Sequence, residues 1–264
     1  MKTILKITPL LFIVVVFFTN CNKDEPINIF TVEDDKTLGL QVKDEIESDP
    51  ATYPILSETA YPDAYKHLRR IRDTILASGK VGYADEFNWE CKLINDDVLN
   101  AFCAPGGYIY VYTGLINYLD NEAQFAGVLG HEMAHAARRH STSQLTKAYG
   151  VSVLLSLITG NDPGLIAQVT ASLLVLAFSR SNENDADAYS VVYLNPSHYD
   201  ARGVAGFFEK LHEGDSSGTN IPFLSTHPSD ANRIENINNK WMDLGSVEGD
   251  WDSLSYISFK NSLP

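Results

Sequence analysis

Apolar positions recur along this chain in several rhythms, and each rhythm predicts a different kind of element. An unbroken apolar run over residues 10–18 follows Lys2 and Lys6 and stops at Thr19-Asn20-Cys21. It is about half the roughly 20 residues that a membrane-spanning helix needs, so it reads as a secretion signal rather than a span. Residues 22–35 are poor in packing side chains and rich in acids, which predicts a flexible spacer ahead of the fold. A first helix is expected over 36–47. After a connector at 50–62, Ala64, His67, Leu68, Ile71, Ile75 and Leu76 repeat at helical spacing and stop before Gly79. Two strand-like runs, 87–94 and 98–103, flank the turn-favouring Asn95-Asp96-Asp97 and predict a hairpin. Pro105-Gly106-Gly107 then leads into an aromatic and β-branched run at 108–112, suited to a third strand. Phe125, Val128, Leu129 and Met133 mark a helix that Asn121 can cap. Two later apolar stretches, 151–158 and 165–178, each fall short of a span and predict a helical hairpin packed on the domain.

The leader changes the picture of what remains. Cleavage before Cys21 would leave a cysteine at the new N-terminus, as in a lipoprotein signal peptide, although Asn20 departs from the small residue usual there. The expected organisation is a signal peptide at 1–20, a spacer at 21–35 and one domain at 36–264. The formal charge of the whole chain is −14. Loss of the first 20 residues removes two lysines and no acid, leaving 18 basic side chains against 34 acidic ones, or −16. Nucleic acid and anionic lipid headgroups are therefore poor candidates for direct partners. With Cys21 assigned to lipid, Cys91 and Cys103 remain, and an oxidising compartment would allow that pair to bridge.

The chemistry centres on His131-Glu132-Met133-Ala134-His135. Residues four apart on a helix sit one turn above each other, so both imidazoles can converge on one Zn²⁺ from a single face. Glu132, offset by one position, stays beside the metal without joining it and can act as a general base toward an attacking water. Gly127 and Gly130 each cost a helix about 1 kcal/mol relative to alanine, which implies a neighbour packed too close for a side chain. A catalytic zinc needs a third protein ligand. On a continued helix Glu183 could ligate and Asp187 could orient a ligand histidine, but on spacing alone Asp185 competes with Glu183. His67, His140, His198 and His212 have no evident partner and are expected in surface or structural roles.

Taken together, these motifs resemble metallopeptidase family forty-eight, which contains the HtpX-like proteases and the CAAX prenyl endopeptidases, over about residues 36–237. The resemblance implies Glu183, in the match to Glu-x-x-Ala-Asp, as third zinc ligand and Asp187 as the partner of a ligand histidine. It implies that Asn100 to Gly107 and the strand after them form an edge that pairs with substrate, through Gly106, Gly107, Tyr108, Ile109 and Tyr110. His227-Pro228, followed by Arg233-Ile234, resembles the family's late His-Pro motif, whose histidine lies near the zinc. Its expected work is to steady the oxyanion or to occupy the open zinc position at rest.

The fold expected is α+β, a zincin-like domain that is mainly helical with a small sheet whose edge strand lines the cleft. The function expected is a zinc endopeptidase with one Zn²⁺ per chain, Glu132 and His227 as catalytic residues, and a protein or peptide substrate. Its expected location is the envelope of a Gram-negative-type bacterium, lipid-anchored to a membrane through Cys21. The rival is a zinc-bearing chaperone or scaffold for outer-membrane protein assembly, against which an intact Glu132 argues, because a pure binding module has no use for a general base.

Overall fold

The computed structural model describes residues 28–159, 162–175, 177–214, 221–228 and 232–264. The signal segment, Cys21 and the start of the spacer lie outside them. Helix α1 (Val32–Ser48) begins earlier than the expected 36, because Thr31 and Asp34 form a reciprocal capping box and Glu33, Asp34 and Asp35 sit at the positive end of the helix dipole. The acids that read as spacer composition are thus a helix's first turn, and Phe30 and Asp35 are buried. Pro62 opens α2 (Pro62–Leu76), where the missing N–H costs nothing, and Ala64, Leu68, Ile71 and Ile75 form its buried stripe.

The sheet corrects the predicted hairpin. Strands β1 (Glu90–Ile94), β2 (Ala101–Ala104) and β3 (Tyr108–Tyr112) lie in the order β1-β3-β2. β1 runs parallel to β3, and β2 runs antiparallel to it. The true hairpin is therefore β2 to β3, closed by Pro105-Gly106-Gly107. The reason is conformational: Gly106 and Gly107 adopt φ of +74° and +87°, which a tight three-residue loop demands and Asn95-Asp96-Asp97 does not supply. A second correction follows. Tyr108–Tyr112 is the central strand, with both backbone edges paired, so Tyr108, Ile109 and Tyr110 offer no free edge to a substrate. A third concerns the thiols. Cys91 and Cys103 are free, both register with Ile109 from opposite sides, and two strand spacings put them roughly 10 Å apart, beyond disulfide reach.

Past the sheet come α3 (Thr113–Tyr118), α4 (Glu122–Ala137), α5 (His140–Thr159), α6 (Pro163–Leu173) and α7 (Arg180–Leu194). They are followed by α8 (Gly203–Gly214), α9 (Pro222–Thr226), α10 (Arg233–Asp243) and α11 (Ser253–Lys260). Asn121 caps α4 as expected, accepting from the Gln124 N–H at 2.9 Å. Every residue of α4 is buried, because α7, α8, β2 and α2 all pack around it. The crossings are close. A Cβ on Gly127 would stand 2.2 Å from the Val204 nitrogen, and one on Gly130 would stand 3.0 Å from the Ser190 hydroxyl. α5 and α6 form the anticipated hairpin and pack on α1. Among the described residues no helix is long and apolar enough to cross a membrane.

Candidate metal centre

Helical spacing on α4 aims His131 and His135 at one point, and α7 brings a carboxylate face to meet them. Ser179 caps α7 by accepting from the Asn182 N–H, which starts a new helix at Arg180 and sets the phase of Glu183 and Asp187. His131 Nε2 and His135 Nε2 stand 3.0 Å apart. Glu183 Oε1 is 3.4 Å from His135 Nε2 and 3.2 Å from His227 Nδ1, and Glu183 Oε2 is 3.7 Å from His131 Nε2. His227 reaches the cluster from the end of α9, where its ring stacks on Phe223 at 4.4 Å. His131, His135, Glu183 and His227 each offer a ligand atom within 4.8 Å of the others.

Helix phase puts Glu183, and not Asp185, in the donor cluster. Positions two apart face different ways, and Asp185 turns to Arg138 and His140 instead. Asp187 does what its spacing implied: His131 Nδ1–H donates to its Oδ1 at 2.8 Å. Arg233, the first residue of α10, holds both Asp187 oxygens at 2.7 Å and lies 2.9 Å from Glu183 Oε2. Glu132 is buried on the same face, with Oε1 3.5 Å from His227 Nε2 and without a hydrogen-bond partner.

Burial and neighbouring charges compete across the site. Burial presses His131 below its ordinary value and His135 well below, so both rings favour the neutral form that can ligate a metal. Burial also lifts Glu132 to about 7, against the pull of His227. For Glu183 burial is outweighed by His227 and His135, and for Asp187 by Arg233 and His131, so both carboxylates lie below their usual range. Burial opposes charge on His227, but Glu132 and Glu183 outweigh it and raise its affinity for a proton.

These donors fit a metal ion. The Asp187 bond places the His131 proton on Nδ1, which leaves a bare Nε2 lone pair facing a second imidazole nitrogen and a carboxylate in a dry site. Such a set suits a cation, and two imidazoles with a carboxylate suit zinc.

Sequence reasoning missed four participants. Arg233 stood in the quoted late motif without a role. His140, expected to be structural, touches His135, with the two Nδ1 atoms 3.1 Å apart. Phe178 stacks on the His135 ring at 4.0 Å, and Arg138 binds Asp185 at 2.7 Å. The signal for His140 was its place just after the His-Glu-x-x-His helix. Of the other histidines, His67 stacks on Phe259 and the His198 ring lies tilted against Tyr199. Within the expected segment the edge strand is β2, which lies against α4 and is flanked by two bonds: the Phe223 N–H donates to Leu99 O at 3.1 Å and Ser141 to Cys103 O at 3.4 Å.

An α+β domain whose buried helix carries His-Glu-x-x-His, and whose neighbour α7 adds a carboxylate from its packed face, defines a zincin-like metallopeptidase fold. The model of Peptidase family M48 matches residues 63–240, and the chain belongs to that family. It is 37% identical over 160 residues to the mitochondrial metalloendopeptidase OMA1 of Arabidopsis thaliana, covering 60% of this chain and 32% of that protein. The OMA1 of Schizosaccharomyces pombe is 28% identical over 193 residues, 72% of this chain and 56% of the relative. The beta-barrel assembly-enhancing protease of Escherichia coli is 29% identical over 163 residues, 56% and 33% respectively. The matches thus span about a third to a half of these relatives' lengths.

Proposed function

We propose that this protein is a zinc-dependent endopeptidase that hydrolyses internal peptide bonds of unfolded or envelope proteins. The observation that carries the reading is the position of Glu132, a buried carboxylate set beside a cluster of metal donors and not consumed by any of them. His131, His135 and Glu183 would hold the ion. Bound zinc supplies Lewis acidity, which activates a water and polarises the scissile carbonyl.

The chain's own residues do the rest. Asp187, held by Arg233, keeps the His131 proton on Nδ1 and the ring fixed. Glu132, lifted by burial above the usual carboxylate range and free of a hydrogen-bond partner at Oε1, accepts the proton of the attacking water and returns it to the leaving amine. His227 presents Nε2 on the Glu132 side of the cluster, where an N–H can stabilise the developing oxyanion. In the closed arrangement the same ring shares the donor cluster, so it must withdraw when a substrate enters. An extended peptide would add to β2 through backbone hydrogen bonds, which confer little sequence selectivity.

A lipid anchor at Cys21, with the domain outside the cytoplasm on the outer membrane, suits the leader. The likeness to a beta-barrel assembly-enhancing protease supports an envelope setting.

The test uses protein lacking residues 1–21, beside Glu132→Gln, assayed for zinc content and for cleavage of an unfolded protein. The expected result is about one zinc per chain in both and cleavage by the parent alone, because Glu132 is outside the ligand set. Equal cleavage by both proteins overturns the mechanism.

A further inference from the structure

We infer that His140 is a positioning residue: together with Asp185 it fixes the His135 ring through Nδ1, in a relay that ends on Arg138. This rests on the proposed metal centre and adds to it a partner for the second ligand histidine.

The relay is read from three contacts. His135 Nδ1 lies 3.1 Å from His140 Nδ1, His140 Nε2 lies 3.2 Å from Asp185 Oδ2, and Arg138 Nε donates to the same carboxylate oxygen at 2.7 Å. His135 directs Nε2 into the donor cluster, and a ligand nitrogen must be bare. Its proton is then on Nδ1 and is donated to His140 Nδ1. His140 in turn carries its proton on Nε2 and donates to Asp185, which is held as a carboxylate by His140 and Arg138 against the effect of burial. Each proton position follows from the one before it. The reverse polarity would protonate His135 Nε2 and remove it from the ligand set.

The local backbone is built for this contact. On an unbroken helix, a residue five positions on lies roughly 140° around the axis, too far to touch. Between α4 and α5 Arg139 takes φ of +59°, a left-handed conformation uncommon outside glycine, and the chain turns His140 back toward His135. The Arg139 side chain is held there by Asp35 and by the Phe30 carbonyl. Phe178 closes the face of the His135 ring, so the Nδ1 contact sets the orientation that stacking leaves free.

The two ligand histidines are thus supported in parallel ways. His131 reaches a carboxylate directly, in Asp187, which is paired to the buried Arg233. His135 reaches one through an intervening imidazole, and that carboxylate is partly exposed and paired to the half-exposed Arg138.

Zinc affinity and histidine tautomers test the relay. Zinc dissociation constants of the soluble parent, His140→Phe and Asp185→Asn are measured by competition with a chromophoric chelator, with thermal unfolding of the zinc-free proteins as the folding control. Losing such an outer partner typically weakens metal binding by about 10–100-fold, so His140→Phe should bind zinc that much less tightly while remaining folded, and Asp185→Asn about tenfold less. In zinc-loaded parent, ¹⁵N spectra should report an Nδ1–H tautomer for His135 and an Nε2–H tautomer for His140, which a purely packing role would not require. If His140→Phe fails to fold, Asp185→Asn and the tautomers decide. A parent that binds no zinc removes the metal centre and the relay with it. A parent that binds zinc, with both variants binding equally well or with His140 as the Nδ1–H tautomer, overturns the relay alone.

Discussion

Glu122, in the first turn of α4, ties the helix that carries His131 and His135 to α2. Its carboxylate is fully buried and accepts from Arg70 Nη1 and Nη2 at 2.6 Å each, with the Tyr199 hydroxyl as a further donor. Burial pushes this carboxyl up, but the bonds from Arg70, Tyr199 and Ser255 outweigh it and leave it below its usual value. A carboxyl depressed in the folded state contributes stability above its unfolded pKa and loses it as pH falls through the folded one. Glu122→Gln should therefore destabilise the fold at pH 7 by about 1–3 kcal/mol, a range kept modest because Arg70 is partly exposed and recovers water. Urea unfolding of parent and variant should converge as pH drops below the ordinary carboxylate range. A gap that stays constant would show that packing, not charge, carries the effect. At this scale the site was legible where one helix sufficed: His131, Glu132 and His135 follow from spacing alone. Glu183 needed the resemblance, because Asp185 is equally acidic and only the phase of α7 on α4 separates them. His140 and Arg233 lie past breaks in the helices, where no periodicity predicts direction.

Between elements, α4 and α8 approach very closely. A Cβ on Gly203 would stand 1.9 Å from the Ala123 carbonyl oxygen, and one on Gly127 would meet Val204 at 2.2 Å, so the two backbones touch through reciprocal glycines. Alanine is preferred over glycine in a helix by about 1 kcal/mol, so propensity predicts that Gly203→Ala stabilises. The collision reverses the sign. A loss of about 1–3 kcal/mol is expected, seen as a lower urea midpoint with an unchanged slope. A raised midpoint would mean that α8 can slide away from α4 at little cost. Close packing at Gly127 and Gly130 was readable because glycine in a helix has a price that something must offset. Strand partners were not: β-branched and aromatic runs mark strands, but a parallel pair such as β1 and β3 leaves no local trace. The hairpin was read one strand too early, since Asn95-Asp96-Asp97 favours a turn without closing one, and the positive φ at Gly106 and Gly107 is invisible in composition.

The molecule as a whole encloses its chemistry. His131, Glu132, His135, Glu183 and His227 are each at most 1% exposed, with α9 and the start of α5 bonded across the approach to β2. This burial has a kinetic meaning for the proposed zinc. An ion surrounded by such donors cannot meet a chelator while the protein is closed, so its escape is gated by a spontaneous opening of the kind that also governs hydrogen exchange. Extraction by a strong chelator should accelerate with chelator concentration only until capture outpaces reclosure, and should then level off at the opening rate. Stopped-flow release measurements over a wide chelator range would reveal that plateau, whereas a rate that climbs in proportion throughout would mean that the ion is open to attack at all times. The plateau rate would also be an upper limit on how fast any peptide waiting for spontaneous opening could be cut, so a turnover above it would require that substrates pry the enzyme open themselves.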